Sequence, residues 1–500
     1  MLSFVVFWPL LAAFLLLWRG LPERVVPWAW VTAAALDLAL VVWMWVRYVG
    51  SGGTGLGYET NLRWIPSLGA GYHSGVDGLS LPLLAMTAVV FLACAVYSLP
   101  GPKAVHRPRR FAALFLALQT TCLGLFAAQD LLLFFVFFDL SIVGMYAVIA
   151  GWGHGEQAKA SALKFFLYTF VGSLALLLGF IGLFAASTPH TFDMVALTAH
   201  PPLAGSGAAG TWVLLAIAVG LAIKTPTVPF HTWLPPAHTD APAAGSAVLA
   251  GVLLKMGAYG FVRIAMPILP ESWRRYALVF VVVGVVSVLY GALVALAQTS
   301  FKRMIAYTSV NHMGYVLLAV GAAGLVASSD AQARSIAITG AVTQMVSHGL
   351  ITGALFLLSG VLLERGGTYE MSAYGGLAAD APRLAGLTAV AAFASLGLPG
   401  FSGFVAEFQV FTGSLGAAPL ATALAVLGVL VTAGLFLWAL HRIFLGPRRH
   451  ALGPVADVSP VEAGAVVPLL VLAVAIGIFP RLLLDVIEPS SRAVVGLLGR

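Results

Sequence analysis

Apolar residues come in runs of about twenty from one end of the chain to the other, divided by short connections rich in Gly, Pro, Ser and charged residues. A run of that length crosses the hydrocarbon core of a bilayer as a helix. Helices are the only open-chain choice there, because lipid leaves strand edges unsatisfied. The pattern predicts about fourteen spans, near 2–18, 26–48, 78–99, 111–128, 131–150, 162–186, 211–229, 242–266, 277–298, 303–326, 335–363, 384–413, 419–445 and 463–486. The longest connections, 49–77 and 187–210, read as surface loops, and no stretch is left for a soluble domain. The predicted fold class is an all-α polytopic membrane protein. Its parts are an N-terminal 1–110, two five-helix segments at 111–266 and 277–445, and a C-terminal 446–500.

Composition sharpens this picture. The 500 residues are 60 % hydrophobic and 9 % charged, whereas an average soluble domain is about 25 % charged. With a mean hydropathy of +0.98, a soluble enzyme, a nucleic-acid binder and a disordered chain are all excluded. The net charge of +7 is no nucleic-acid footprint, because most of the Lys and Arg fall in short connections, where they report orientation. The face of the first connection carries fourteen, among them Lys103, Lys302, Arg303, Arg365 and Arg449. The opposite face carries nine, among them Arg63, Arg263, Arg274, Arg334 and Arg500. The richer face is predicted to be cytoplasmic, with both termini outside, in a bacterial cytoplasmic membrane. The N-terminus lacks a basic n-region and a small-residue cleavage site, and reads as a first transmembrane helix. Cys94 and Cys122 sit in apolar stretches without a CxxC, which argues against a disulfide framework, a zinc site or a Cys-ligated iron–sulfur centre.

A few ionisable residues fall inside the spans: Lys164, Lys224, Lys255, Asp37, Asp139, Glu407, His312 and His348. Each charge at mid-membrane costs at least about 2.5–3.5 kcal/mol, so such groups face the bundle interior and mark ion or proton paths. The segment LAIKTPTVPFHTWLPPAHTDAP (221–242) sets Lys224 before Pro226, Pro229, Pro235 and Pro236. Proline removes a backbone donor and clashes one turn back, so the seventh span is predicted to break, opening a polar cavity lined by His231, Thr232, His238, Thr239 and Asp240. A merely kinked helix with a snorkelling lysine is the plainer reading. Lys255 sits mid-span among Gly251, Gly257 and Gly260, which allow close packing; it is either a protonatable relay or a lysine locked in an ion pair. Asp139, between aromatics, is expected to pair with Lys224. Unit charges about 4 Å apart at an effective dielectric near 20 attract by roughly 4 kcal/mol, enough for a proton switch or for a static fastener.

Pro399-Gly400 is predicted to break the twelfth span ahead of Glu407. Two interrupted helices, each with one buried ionisable group, suggest internal repeats, and a separation of five spans makes them inverted. His312 and His348 have polar neighbours and are relay candidates, or simply satisfied core histidines. Lys164 and Asp37 read better as structural.

These residues together resemble the antiporter-like subunits of respiratory complex I, and among them the M-type subunit. The resemblance covers nearly the whole chain. It is carried by GVDGLSLPLL (76–85), FFVFFDLSIVGMYAVIAGWG (134–153), IKTPTVPFHTWLPPAHTDAPAAGSAVLAGVLLKMGAYG (223–260), SVNHMGY (309–315) and GLPGFSGFVAEF (397–408). It implies two inverted five-helix repeats, each forming half of a proton channel, with Lys224, Asp139, Lys255 and Glu407 at the family's channel positions. Glutamate at the twelfth-helix position favours the M type, since the L and N types and the Mrp antiporter subunits usually carry lysine there. Asp139 departs from the family's usual glutamate and is one methylene shorter, so contact with Lys224 needs a helix shift or a bridging water. The resemblance implies a proton-translocating subunit of NADH:quinone oxidoreductase with no cofactor of its own. Its partners would be L-, N- and K-type membrane subunits, through them a redox arm, and the lipid bilayer. The alternatives are a subunit of a multi-subunit Na⁺/H⁺ antiporter or of an ion-pumping membrane-bound hydrogenase.

Overall fold

The computed structural model describes residues 1–99, 105–326, 330–448 and 455–499. Lys103, Arg449 and Arg500 of the orientation count lie outside the described residues. The chain opens with α1 (Leu2–Leu17) and α2 (Val26–Gly50), then a hairpin of β1 (Gly57–Ile65) and β2 (Ala70–Val76). Helices α3 (Leu81–Tyr97), α4 (Pro108–Ala127), α5 (Leu131–Trp152), α6 (Ala158–Ala186), α7 (Met194–Ala199) and α8 (Ala208–Lys224) follow. After α9 (Leu234–Asp240), one rod runs from Ala243 to Ile268. It consists of α10 (Ala243–Val248), α11 (Leu254–Gly260) and α12 (Met266–Ile268), joined by π-helical turns at Leu249–Leu253 and Phe261–Ala265. The remainder is α13 (Pro270–Leu296), α14 (Phe301–Gly324), α15 (Ala331–Gly366), α16 (Pro382–Ser395), α17 (Ser402–Leu415), α18 (Pro419–Phe444), α19 (Pro460–Ile478) and α20 (Arg481–Leu498).

Nine helices among the described residues are long and apolar enough to cross a membrane, and α1, α3 and α8 are shorter apolar helices. The chain is a multi-pass membrane protein. Its helices form an inner row and an outer shell. The rod 243–268, α14 and α15 are buried along almost their whole length, whereas outer helices present Phe14, Leu178 and Leu430 outward. An all-round buried helix needs no amphipathic stripe. Lys255, His312 and His348 lie on this inner row, away from lipid, and Asp37, Lys224 and Glu407 are buried on the inward faces of α2, α8 and α17.

The all-α expectation needs one correction, since the connection 49–77 holds an antiparallel hairpin pairing Thr60 with Ser74 and Leu62 with Tyr72. The hairpin is pinned by polar groups that a loop reading passes over. Asp130 caps α5 by accepting from the Leu132 and Leu133 amides at 2.9 and 3.0 Å, and also accepts from Gly71 N at 3.1 Å. His73, 2 % exposed, bridges Asp193 at 2.5 Å and Glu59 at 2.9 Å. Burial opposes a charge on this imidazole, but hydrogen bonds and attraction from Asp193 and Glu59 outweigh it and hold the ring above its ordinary pKa. Asp193 in turn caps α7 through Ala196 N at 2.8 Å; burial pushes it up, while His73 and the helix amides bring it below the ordinary range. A second correction concerns the last span. The predicted 463–486 runs across Phe479-Pro480, where the chain leaves α19 and starts α20.

Candidate functional site

The site is assembled around Lys255 on α11. A π turn holds one residue more than an α turn and leaves carbonyls poorly matched. In the turn before Lys255, the Ala250 carbonyl accepts from the ammonium of Lys255 itself. The other partner of Nζ is His348 Nδ1 on α15, 2.5 Å away. Lys255 is fully buried and His348 is 2 % exposed. The His348 and His312 rings lie 5.2 Å apart between centroids in an edge-on arrangement. His312, on α14, has Gln344 Nε2 at 3.1 Å and Glu407 Oε1 at 3.7 Å from the same nitrogen, Nδ1. Its Nε2 faces Ser395 Oγ at 3.3 Å. Four groups predicted from burial cost alone thus form one row: Lys255, His348, His312, Glu407.

Glu407 sits on α17 just past a helix break. Chain 396–401 between α16 and α17 contains Gly397 at φ +76°, a conformation that costs L residues energy. A side chain at 397 would also run into the Glu407 carboxylate, so this glycine provides both the turn and the space for the acid. At His312, a neutral ring that donates through Nε2 can accept a hydrogen bond at Nδ1 from the Gln344 amide. A proton arriving at Nδ1 needs an acceptor instead. Glu407 Oε1 is one, and Gln344 Oε1, which has no partner, becomes another once the amide turns over.

Lys224 is the last residue of α8, where its cation is favoured by the carbonyl end of the helix dipole. Pro226 and Pro229 end the helix there. The freed carbonyls do not face a polar opening as expected: Trp233 Nε1 takes Ile223 O at 3.0 Å, and Thr227 N takes Ala222 O at 3.0 Å. The cavity beside the break, about 330 Å³, is walled by apolar residues such as Leu214, Val228, Phe261 and Leu317. The expected Lys224–Asp139 ion pair is also not formed. Lys224 Nζ donates to Ser141 Oγ at 2.9 Å and lies 4.8 Å from the Phe138 ring centroid, while Asp139 Oδ1 has no partner. The reason is angular as well as the missing methylene. Residues 138 and 141 share a helix face, but each step turns about 100°, so Asp139 is swung toward the half-exposed side of α5 beside Leu140.

Of the two histidines expected to line a cavity, His231 is 5 % exposed and sits 4.9 Å from the Tyr290 ring. His238 is fully buried, stacked on Phe356 at 4.5 Å, with both ring nitrogens unpartnered. Lys164 is exposed, as a snorkelling lysine is. Lys302, expected among the loop charges, is corrected by the structure. It lies in the first turn of α14, fully buried, with Nζ on Ala241 O at 2.5 Å and 4.8 Å from the Tyr369 ring. Lys302 and Arg303 are successive, and about 100° per residue turns one inward when the other faces out; that is the signal the sequence offered. Tyr369 and Ala243, the residue that starts the rod two places after Ala241, help line a half-open cavity of about 520 Å³, together with Tyr97, His106 and Glu364. Arg263, also expected among the loop charges, is part of the second π turn and pairs with Asp77 at 2.5 Å.

The chain matches the family model described as NADH:quinone oxidoreductase/Mrp antiporter, TM, over residues 128–432. It is 37 % identical over 466 residues to F(420)H(2) dehydrogenase subunit M of Methanosarcina mazei, covering 92 % of this chain and 91 % of that one. To NADH-quinone oxidoreductase subunit M of Rickettsia felis it is 38 % identical over 435 residues, covering 86 % and 85 %. Among solved structures, a chain of respiratory complex I from Thermus thermophilus with bound NADH superposes with a TM-score of 0.89 at 32 % identity, over 100 % of both chains.

Proposed function

The chain belongs to the NADH:quinone oxidoreductase/Mrp antiporter transmembrane family, and from that premise we propose that it is a membrane-arm subunit of an NADH:quinone oxidoreductase that translocates protons. The observation that carries the reading is the buried row Lys255–His348–His312–Glu407. Nothing in helix packing repays four ionisable side chains in an apolar interior, whereas a proton path requires them.

In this reading protons reach the interior from the cavity at Tyr97, Glu364 and Tyr369, beside Lys302. Lys255 passes a proton to His348 Nδ1, within hydrogen-bond reach. His312 takes it next, and one ordered water or a small rotation closes the 3.7 Å to Glu407. Lys224, held by Ser141, is the charge that biases Lys255 from the neighbouring helix. Asp139 acts on Lys224 from the flank. The bundle is then two inverted five-helix repeats, 111–266 and 277–445, within fourteen spans. The paired breaks, after Lys224 and before Glu407, support that arrangement. Redox chemistry belongs to partner subunits, with L-, N- and K-type neighbours in the membrane, and this chain carries no cofactor. The side with more Lys and Arg is the cytoplasmic one and both termini are periplasmic, in a bacterial inner membrane.

A second reading concerns the donor. The F(420)H(2) dehydrogenase relative indicates that such a subunit also serves a complex fed by a reductant other than NADH. The test is to tag the chain, extract it in mild detergent, and assay quinone reduction by NADH and by F(420)H(2). Flavin and iron–sulfur partners with NADH activity are expected. Small hydrophobic partners with sodium-dependent exchange and no quinone reduction would refute the reading in favour of an antiporter.

A further inference from the structure

Asp37 lies near the middle of α2 and is fully buried, yet the proton path does not use it. Gln119 Nε2 on α4 donates to its Oδ2 at 2.6 Å. The other two polar atoms of the couple, Asp37 Oδ1 and Gln119 Oε1, have no hydrogen-bond partner. Both are acceptors if the carboxyl is ionised, and turning the amide over merely exchanges which oxygens face each other. An ionised Asp37 would also lack a counter-charge. Of the helices packed on α2, α1 and α3 carry no charged residue. On α4, Arg109 and Arg110 sit in the first turn, and Arg109 is engaged by the carbonyls of Trp18 and Leu21. Glu23 and Arg24 precede α2, and Arg47 is exposed about 15 Å further along it. The remaining titratable side chains on these helices, Tyr48, Cys94, Tyr97 and Cys122, bring no positive charge.

We propose that Asp37 is a proton-binding site: Oδ1 carries a proton and donates it to Gln119 Oε1, so that the two side chains form a cyclic acid–amide pair. One hydrogen satisfies both stranded atoms and removes the buried charge. The balance is simple, since the carboxylate takes one proton from water as the helices assemble and keeps it. The pair continues a seam between parallel helices. Trp30 packs on Phe111 and Phe115 at 5.8 and 5.3 Å, and Asp37 and Gln119 follow about two turns later on both helices. A two-bonded planar pair there fixes the rotation of α2 against α4 without adding a charge to the membrane interior.

The proposal is tested on the full chain in its native complex, with aspartate side-chain carboxyl ¹³C and glutamine side-chain ¹⁵N labels, by solid-state NMR. One aspartate carbon should correlate with a glutamine Nε2, resonate in the carboxylic-acid range at both about pH 5 and about pH 9, and vanish in Asp37→Asn. A carboxylate shift for that carbon, or no such correlation, overturns the proposal. Should Asp37→Asn fail to assemble, loss of the correlation in Gln119→Leu makes the same assignment. Asp37→Asn keeps an amide–amide pair of the same shape, so proton yield per quinone should be unchanged. A fallen yield in an assembled complex would place Asp37 in the path and refute its separate role.

Discussion

His348→Leu removes the link between Lys255 and His312 while roughly conserving volume. Lys255 then keeps the Ala250 carbonyl as its partner and loses His348 Nδ1 at 2.5 Å. A hydrogen bond to a charged group contributes about 1.5–3 kcal/mol, so the assembled complex should survive with lowered thermal stability. The transfer step is hit harder. With no imidazole between them, Lys255 loses its hydrogen-bonded proton acceptor, and proton transfer needs such a partner within roughly 2.6–3.2 Å. Losing a positioned acid–base group costs about 10²–10⁴ in rate, or about 3–5 kcal/mol of barrier. The assay is quinone reduction in proteoliposomes with a pH-sensitive dye inside, normalised to the amount of assembled complex. Proton yield, or coupled turnover, should fall by at least about a hundredfold relative to the loss of assembly. Wild-type yield and turnover in fully assembled His348→Leu would refute the row as the conducting path.

Three further outcomes follow from particular contacts. Ser141→Ala takes away the hydroxyl that Lys224 donates to at 2.9 Å, and pumping should slow about 10–100-fold at unchanged assembly; an unaffected rate would mean Ser141 is no working partner. Gly257→Val puts a Cβ 2.5 Å from Leu221 O and 2.8 Å from Thr225 N, overpacking the joint between α8 and α11 by about 1–3 kcal/mol. Its melting temperature should drop visibly, and a wild-type value would contradict the close approach. The hairpin latch has a defined pH window. The folded pKa of His73 is raised, so its contribution is complete below the unfolded value of about 6.5 and fades as pH rises through the folded value. Asp193 is depressed, so its contribution is complete above about 3.9 and fades as pH falls through the lower folded value. Hydrogen exchange in 57–76, corrected for intrinsic rates, should be slowest between about pH 4 and about pH 6.5; protection that keeps rising above pH 8 would refute the latch.

The sequence carried the inner row and hid its supports. Lys224, Lys255, Glu407, His312 and His348 stand out because a charged or titratable group in a long apolar run has no cheap explanation. The breaks after Lys224 and before Glu407 were legible for the same kind of reason, since proline and glycine punctuate helices regardless of what surrounds them. What stayed hidden depends on angle. Ser141 and Asp139 are two residues apart, and the helix turns the carboxylate away from Lys224 while presenting the hydroxyl. Lys302 looked like one of a pair of loop charges until helical phase buried it against Ala241. Gln344 carries no charge and so attracted no cost argument, although it is closer to His312 than Glu407 is. The hairpin is not legible in the sequence because it is fixed by Asp130, Asp193 and His73, contacts made across tens of residues rather than by local propensity.

The two π turns in the rod 243–268 have a consequence for how this helix tolerates change in length. Each amounts to one inserted residue, and the two flank Lys255 on either side. Removing one residue from Leu249–Leu253 would restore an α turn and shift the azimuth of everything before it by about 100° relative to Lys255. Removing one from Phe261–Ala265 would do the same to everything after it. Lys255 is therefore phased independently against two ends: one begins two residues beyond the carbonyl that holds Lys302, the other follows the turn that carries the arginine bound to Asp77. Side-chain replacement can leave that phasing intact, whereas a single-residue deletion in either turn cannot.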